Sequence, residues 1–193
     1  MLRRLYDWTM ALAARPRAEW ALAGVAFAES SFFPIPPDIL LIPMVLANRA
    51  KAWRHAAIAT ASSVVGGLAG YLIGAFLFEQ IGRPLLAFYG YAAQFQEFAN
   101  AYNEWGAWIV FAAGLTPFPY KVITIASGAT GLDILTFSLA SIAARGGRFI
   151  VVAALLYWIG PPVRAFIERR LGLVFTVFVV LLVGGFAAAR YLM

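Results

Sequence analysis

The sequence lacks cysteine entirely and has one histidine among its 193 residues. Without cysteine the chain excludes disulfides, thiolate metal sites and iron–sulfur clusters. A single histidine, His55, excludes a multi-histidine metal centre within one chain. His55 lies beside Arg49, Lys51 and Arg54, so we interpret it as part of a solvated basic loop. We therefore expect no metal and no organic cofactor.

Charge is also scarce, at 12% of residues against 63% hydrophobic residues, with a mean hydropathy of +0.80. This composition is too apolar for a soluble domain of this length and predicts an all-α integral membrane protein. The formal net charge is +6. The basic residues fall mainly at the ends of apolar segments, which indicates membrane orientation and not nucleic-acid binding.

Hydropathy divides the chain into an N-terminal amphipathic helix (1–17), a membrane domain (18–160) and a C-terminal transmembrane helix (171–191). Asp7 and the Arg15-Pro16-Arg17 cluster interrupt the N-terminal apolar stretch, so we do not interpret it as a secretory signal. Two segments of the membrane domain, about 56–78 and 134–159, are long enough to span about 30 Å of hydrocarbon.

Two further apolar segments, about 19–47 and 105–128, are interrupted by prolines, which oppose helix continuity. The interruptions are Pro34, Pro36 and Pro37 in the first segment and Pro117 and Pro119 in the second. Irregular backbone at membrane depth is tolerated where it is buried in protein or lines a wet cavity. We therefore expect each segment to be a re-entrant helical hairpin beside a cavity.

Charge placement predicts how these hairpins are inserted. If the first hairpin enters and leaves by one face, the basic residues before and after it share the cytoplasmic side, as the positive-inside tendency requires. The second hairpin then dips in from the outer face. The expected architecture is two opposed hairpins, each followed by a spanning helix, which is the arrangement of inverted-repeat transporters. It places the N-terminus in the cytoplasm.

Between the halves, residues 83–104 carry aromatic residues at alternating three and four spacing opposite a polar face. This pattern predicts one amphipathic helix at the membrane interface. The alternative is a helix packed on a neighbouring subunit, so a homo-oligomer stays open. Nearby, Gly66, Gly70 and Gly74 recur every four residues, which favours close helix packing.

Five charged residues lie within the membrane domain: Glu29, Asp38, Lys121, Arg145 and Arg148. Charges inside a membrane are costly, usually pair, and commonly mark a transport pathway. We hypothesise that the two carboxylates neutralise the cations when the site is empty, with Lys121 a candidate partner of Glu29 or Asp38. The alternative is that these residues are structural ion pairs that hold the hairpins together.

These residues carry a resemblance to a known family. Glu29 before Phe-Phe-Pro, Pro-Pro-Asp38 after it, the run GGLAGYLIG and the pattern Pro117…Lys121…Ala-Ser-Gly128 resemble the DedA family, also called the SNARE-associated Golgi or VTT-domain family. The likeness covers about residues 24–160 and is closest to a short bacterial branch. It implies a polytopic inner-membrane protein that moves phospholipids or undecaprenyl phosphate, with proton coupling in some members.

The resemblance assigns functional roles to Glu29, Asp38 and Lys121. This chain departs from the family pattern in two ways, because many members have a longer glutamate-to-aspartate spacing and a pair of arginines in the second hairpin. Here Leu115 and Lys121 stand in that hairpin. We hypothesise that Arg145 or Arg148 replaces the missing arginine in space.

We therefore expect a lipid flippase or scramblase and not an enzyme. Ser127 with Lys121 is the one serine–lysine combination that catalysis could use, and Asp38 and Asp133 carry no aspartyl-protease motif. A membrane scaffold or channel-like component without lipid transport remains the alternative. Arginine and lysine suit a phosphate head group, so Lys121, Arg145 and Arg148 are the expected head-group contacts.

Overall fold

A computed structural model of the chain describes residues 17–169, apart from residues 34 and 117. The expected N-terminal and C-terminal helices, Pro34 and Pro117 therefore lie outside the described residues. The described part forms helices and no strands. In chain order the α-helices are α1 (Ala18–Ser31), α2 (Asp38–Ala47), α3 (Ala52–Leu77), α4 (Arg83–Tyr89), α5 (Ala92–Glu104), α6 (Gly106–Leu115), α7 (Tyr120–Thr130) and α8 (Ile134–Arg169).

Both proline-containing segments are helix–break–helix units. The first unit is α1 and α2, and Pro37 with φ −65° precedes the first residue of α2, where a missing N–H costs nothing. The second unit is α6 and α7, and Thr116 is extended (φ −84°, ψ 167°), as expected of a residue before proline. We refer to these as the first break (residues 32–37) and the second break (residues 116–119).

Two helices are long and apolar enough to cross a membrane, over Arg49–Tyr89 and Ile134–Gly160. The first comprises a 3₁₀ turn, α3, a π-helical turn at Phe78–Gly82 and α4. The second lies in α8, which has a kink at Ile159 (φ −111°, ψ 21°). Pro161 follows the kink and has no N–H to donate to the Tyr157 carbonyl. That carbonyl instead accepts a hydrogen bond from Arg49 Nη1 at 3.2 Å.

The single amphipathic helix expected over residues 83–104 is wrong, because the structure has two helices there. Gly90 adopts a left-handed conformation (φ 76°) and ends α4, and the Tyr91 N–H closes this turn on the Leu86 carbonyl at 2.9 Å. Such a glycine is a common helix terminator. Most of the aromatic residues in this region are exposed, and Tyr102 of α5 is the buried exception.

Each of the two long helices packs against one helix from each broken unit. α3 packs against α1 and α7, while α8 packs against α2 and α6, and α3 and α8 pack against each other. In each broken unit, therefore, the chain crosses from one long helix to the other at the break. Because α3 and α8 pack against each other, both breaks lie beside the contact between them.

Glycine permits the closest of these contacts. A Cβ at Gly66 would lie 2.2 Å from the Phe27 carbonyl oxygen of α1, and one at Gly74 would lie 2.0 Å from the Ile125 carbonyl oxygen of α7. Gly70 lies against the Thr124 side chain and the Ser30 carbonyl. Since real side chains do not approach backbone so closely, these positions exclude any larger residue unless the helices separate.

The turn between α7 and α8 is tightly specified. Gly131 is left-handed (φ 68°) and ends α7, and Asp133 then caps α8 by accepting a hydrogen bond from the Thr136 N–H at 2.7 Å. Hydrogen bonds from Thr136 hold the pKa of Asp133 below its ordinary value. Asp133 therefore caps a helix in this structure.

Candidate ion-pair site between the helix breaks

Four of the five predicted charged residues form two ion pairs between the halves of the chain. Glu29 lies in the last turn of α1, Asp38 is the first residue of α2, and both arginines lie in the middle of α8. Arg145 Nη2 is 2.5 Å from Glu29 Oε2, and we call these residues the inner pair. Arg148 Nη2 is 2.5 Å from Asp38 Oδ2, and we call these the outer pair.

The inner pair is enclosed. Arg145 is fully buried, and the Glu29 side chain is 13% exposed. Arg145 Nε donates a 2.6 Å hydrogen bond to Ser63 Oγ of α3. The guanidinium carbon lies 4.9 Å from the ring centroids of both Tyr120 and Phe149, a distance at which cation–π attraction is effective. The Tyr120 hydroxyl donates to Ser141 Oγ, which anchors that ring.

One nitrogen of this buried arginine is unused. Arg145 Nη1 has no hydrogen-bond partner among the described residues. An unpaired buried donor on a charged group is costly, so its neighbourhood commonly holds water or an anion. Two aromatic rings and two hydrogen-bond acceptors already contact the rest of the guanidinium.

The outer pair is more open. The Arg148 side chain is 22% exposed and the Asp38 side chain is 16% exposed. Arg148 Nη1 also points to the Thr116 carbonyl of the second break, at 3.4 Å. Because Asp38 follows the first break directly, Arg148 connects the two breaks across the molecule.

Lys121 is a member of neither pair. It is half-buried in the first turn of α7 and belongs to none of the ion pairs found in residues 17–169. The hypothesis that Lys121 pairs with Glu29 or Asp38 does not describe this structure, because the arginines of α8 occupy both carboxylates. Leu115, the other residue noted in the second broken segment, is exposed at the end of α6.

The expected solvated loop at His55 is wrong. His55 lies in α3 and is 4% exposed, because α3 begins at Ala52 and turns this position towards α1. Its Nε2 is 3.6 Å from Glu19 Oε1, and the other oxygen of Glu19 binds Arg54 at 2.6 Å. Glu19 therefore joins the start of α1 to the start of α3.

Sequence reasoning missed Ser30, Ser63, Tyr120 and Phe149. Ser30 directly follows Glu29, and Ser63 precedes Gly66 by three residues, which places it on the small-residue face of α3. That periodicity could have identified Ser63. Nothing in the sequence distinguishes Phe149 from the other apolar residues around it.

A comparison with protein-family models matches residues 35–160 to the VTT domain. The chain belongs to the VTT-domain family. This is the DedA/SNARE-associated family, whose members are associated with membranes. The matched VTT region begins in the first break and ends next to the kink at Ile159. It includes Asp38 and both arginines, whereas Glu29 precedes it.

Two curated relatives of this VTT-domain chain cover most of its length. An uncharacterised protein of Haemophilus influenzae is 34% identical over 170 residues, which is 88% of each chain. A second uncharacterised protein, from Histophilus somni, is 35% identical over 167 residues, covering 86% of this chain and 87% of its own. No solved structure matches the chain.

Proposed function

We propose that this VTT-domain protein moves a lipid with a phosphate-containing head group, a phospholipid or a polyprenyl phosphate such as undecaprenyl phosphate, between the leaflets of the bacterial inner membrane. The observation that supports this most strongly is the outer pair, in which a partly exposed arginine connects the two helix breaks. Irregular backbone and ionisable groups at membrane depth are typical of transport pathways.

In the proposed mechanism the lipid phosphate competes with Asp38 for Arg148. A guanidinium binds two phosphate oxygens at once, and Lys121, which has no carboxylate partner in the described structure, adds a second cation. The head group passes between the breaks while the acyl or prenyl chains stay in the bilayer, so the tails avoid water. Arg145 is enclosed in this conformation, and its unused Nη1 becomes available only if α8 or α1 moves.

We further propose that the broken units are re-entrant hairpins related by an inverted repeat. Each broken unit packs one helix on α3 (α1 or α7) and one helix on α8 (α2 or α6), and this matching arrangement of the two units supports the proposal. The test is topological. Single cysteines at Ala14 and Ala50 should react with an impermeant thiol reagent from the cytoplasmic side only. Reaction from opposite sides would make the first unit a true span and refute the inverted repeat.

Leaflet exchange of labelled lipids in proteoliposomes tests transport itself. The wild type should exchange chemically unaltered lipid, and Arg148→Gln should exchange it far more slowly. Arg83→Gln is the matched control, because Arg83 forms an exposed pair with Glu79 far along the chain from the breaks. Altered lipid would indicate an enzyme. Absence of exchange in the wild type would favour a scaffold or channel-like component.

We also propose that the lipid movement is coupled to protons. When a phosphate occupies the arginines, their compensation of Glu29 and Asp38 weakens, so a proton can bind to a carboxylate and leave with the lipid. Exchange should then vary with pH between about 5.5 and 8.5, and Glu29→Gln or Asp38→Asn should flatten the profile. An unchanged profile in both folded variants would favour an uncoupled scramblase.

A further inference from the structure

Two serines close a ring of hydrogen bonds around the inner pair. Ser63 Oγ of α3 lies 2.6 Å from Arg145 Nε and 2.7 Å from Ser30 Oγ of α1. Ser30 Oγ lies 3.1 Å from Glu29 Oε2, the oxygen that Arg145 Nη2 also binds. The ring therefore joins α1, α3 and α8, and both serines are fully buried.

The chemistry of the ring fixes the direction of every bond. Arginine has no acceptor, so Nε must donate to Ser63, and an ionised Glu29 has no donor, so Ser30 must donate to it. The remaining bond then runs from the Ser63 hydroxyl to Ser30. All donors point from Arg145 towards Glu29 Oε2, and bonds aligned head to tail in this way strengthen one another.

The strength of the ring depends on the charge of Glu29. Hydrogen bonds to an ionised acceptor are roughly twice as strong as bonds to a neutral one. A neutral Glu29 weakens the Ser30 bond and removes the charge that holds Arg145 Nη2. Arg145 then keeps Ser63 and two aromatic faces, none of which carries a negative charge.

We propose that Ser63, acting with Ser30, is a positioning residue that ties the orientation of Arg145 to the ionisation of Glu29. This proposal rests on the proposed lipid transport and names how its inner pair is regulated. While Glu29 is ionised the ring holds the guanidinium away from any phosphate. Once Glu29 takes up a proton, Arg145 is held by weaker contacts, so that a movement of α8 or α1 can bring its Nη1 and Nη2 to a phosphate.

Other charged and titratable groups lie around the ring. The Tyr120 ring of α7 lies 4.9 Å from the guanidinium carbon, and Arg148, which pairs with Asp38 of α2, lies one turn away along α8. The outer pair is neutral overall when both members are ionised. A substitution that changes the ring alone must therefore leave Asp38 and Arg148 in place, which the serine variants do.

A double-mutant cycle tests the ring without any transport measurement. Thermal unfolding of the purified protein in detergent is measured for Ser63→Ala, Glu29→Gln and the combined variant. Ser63→Ala should lower the unfolding midpoint of the wild type more than it lowers that of Glu29→Gln, because only an ionised Glu29 strengthens the Ser63 bonds through Ser30. Equal losses in both backgrounds would overturn the proposal. Ser63→Cys, which has the shape of serine but forms only weak hydrogen bonds, should show the same dependence on Glu29 as Ser63→Ala.

Two neighbouring serines are matched controls. Ser62 adjoins Ser63 on α3 and is only partly buried, and Ser31 adjoins Ser30 but bonds to the Phe27 carbonyl of its own helix at 2.7 Å. The effect of Ser62→Ala or Ser31→Ala should be the same with and without Glu29→Gln. Coupling of equal size in the controls would show that the cycle reports general packing, and the ring would be rejected.

Leaflet exchange then separates this proposal from the proposed function. In proteoliposomes the ratio of rates at pH 5.5 and pH 8.5 should move towards one in Ser63→Ala and stay at the wild-type value in Ser62→Ala. A merely structural role would slow exchange equally at both pH values, which would contradict the positioning role. Failure of all variants and the wild type to exchange lipid, with coupling intact in the unfolding cycle, would reject the transport proposal and retain the ring.

Discussion

The inner and outer pairs are chemically alike and differ in their surroundings. Both join a carboxylate of the first broken unit to an arginine of α8 at 2.5 Å. The inner arginine has no exposed surface and is held by a serine and two aromatic rings, whereas the outer arginine is 22% exposed and has one additional backbone contact. Since a partly hydrated pair can separate at lower cost, we infer that the outer pair opens more readily than the inner pair.

The largest effect that this comparison predicts is on stability. Arg145→Met should leave the Glu29 carboxylate buried without a counter-ion and lower the free energy of unfolding by about 3–5 kcal/mol. Chemical unfolding in detergent micelles measures this loss. The double variant with Glu29→Gln should recover a large part of it, because no uncompensated charge remains. A loss below about 1 kcal/mol, comparable to an exposed pair, would show that the inner pair is not buried in this way.

Arg148→Met should lower the free energy of unfolding less than Arg145→Met does, and it should slow lipid exchange. Asp38 is partly exposed and can regain water, so we expect a loss of about 1.5–3 kcal/mol, the range for a hydrogen bond to a charged group. Lipid exchange should nevertheless fall strongly, because the proposed phosphate contact is gone. Unfolding and exchange measured on one preparation give both numbers. If Arg148→Met cost more stability than Arg145→Met, the assignment of inner and outer roles would be reversed.

The aromatic rings around Arg145 should make a smaller contribution to the free energy of unfolding, and only at the inner pair. Phe149→Leu removes one cation–π contact as well as apolar volume. Its loss of unfolding free energy should be about 0.5–2 kcal/mol larger in the wild type than in an Arg145→Met background, where no cation lies against the ring. Equal losses in the two backgrounds would attribute the whole effect to packing.

The exposed ion pair of Glu79 and Arg83 should have the smallest effect on the free energy of unfolding. Glu79 and Arg83 are four residues apart, 2.8 Å from each other and more than half exposed. Arg83→Ala should change the free energy of unfolding by about 0.3–0.5 kcal/mol, and added salt should reduce even this effect. Stability measured at low and high ionic strength checks the expectation, and a larger cost would indicate a packing role for Arg83.

The sequence allowed the breaks and the charged residues to be predicted, since proline and buried charge are rare and informative in apolar segments. It could not assign partners. Glu29 and Arg145 are 116 positions apart, and Lys121 was an equally reasonable partner until the fold placed α8 between the breaks. Helix packing decides such choices, and it depends on the whole chain. The split at Gly90 was missed because the aromatic periodicity continues across it.

The inner and outer pairs together have an electrical consequence. Two carboxylates and two guanidinium groups sum to zero charge, so a membrane potential exerts no net force on the pairs while they remain closed. Moving one elementary charge through 100 mV is worth about 2.3 kcal/mol. Opening the outer pair, or carrying a phosphate past it, would expose unbalanced charge to this field. The proposed lipid movement would therefore respond to voltage only during the step in which a pair is open.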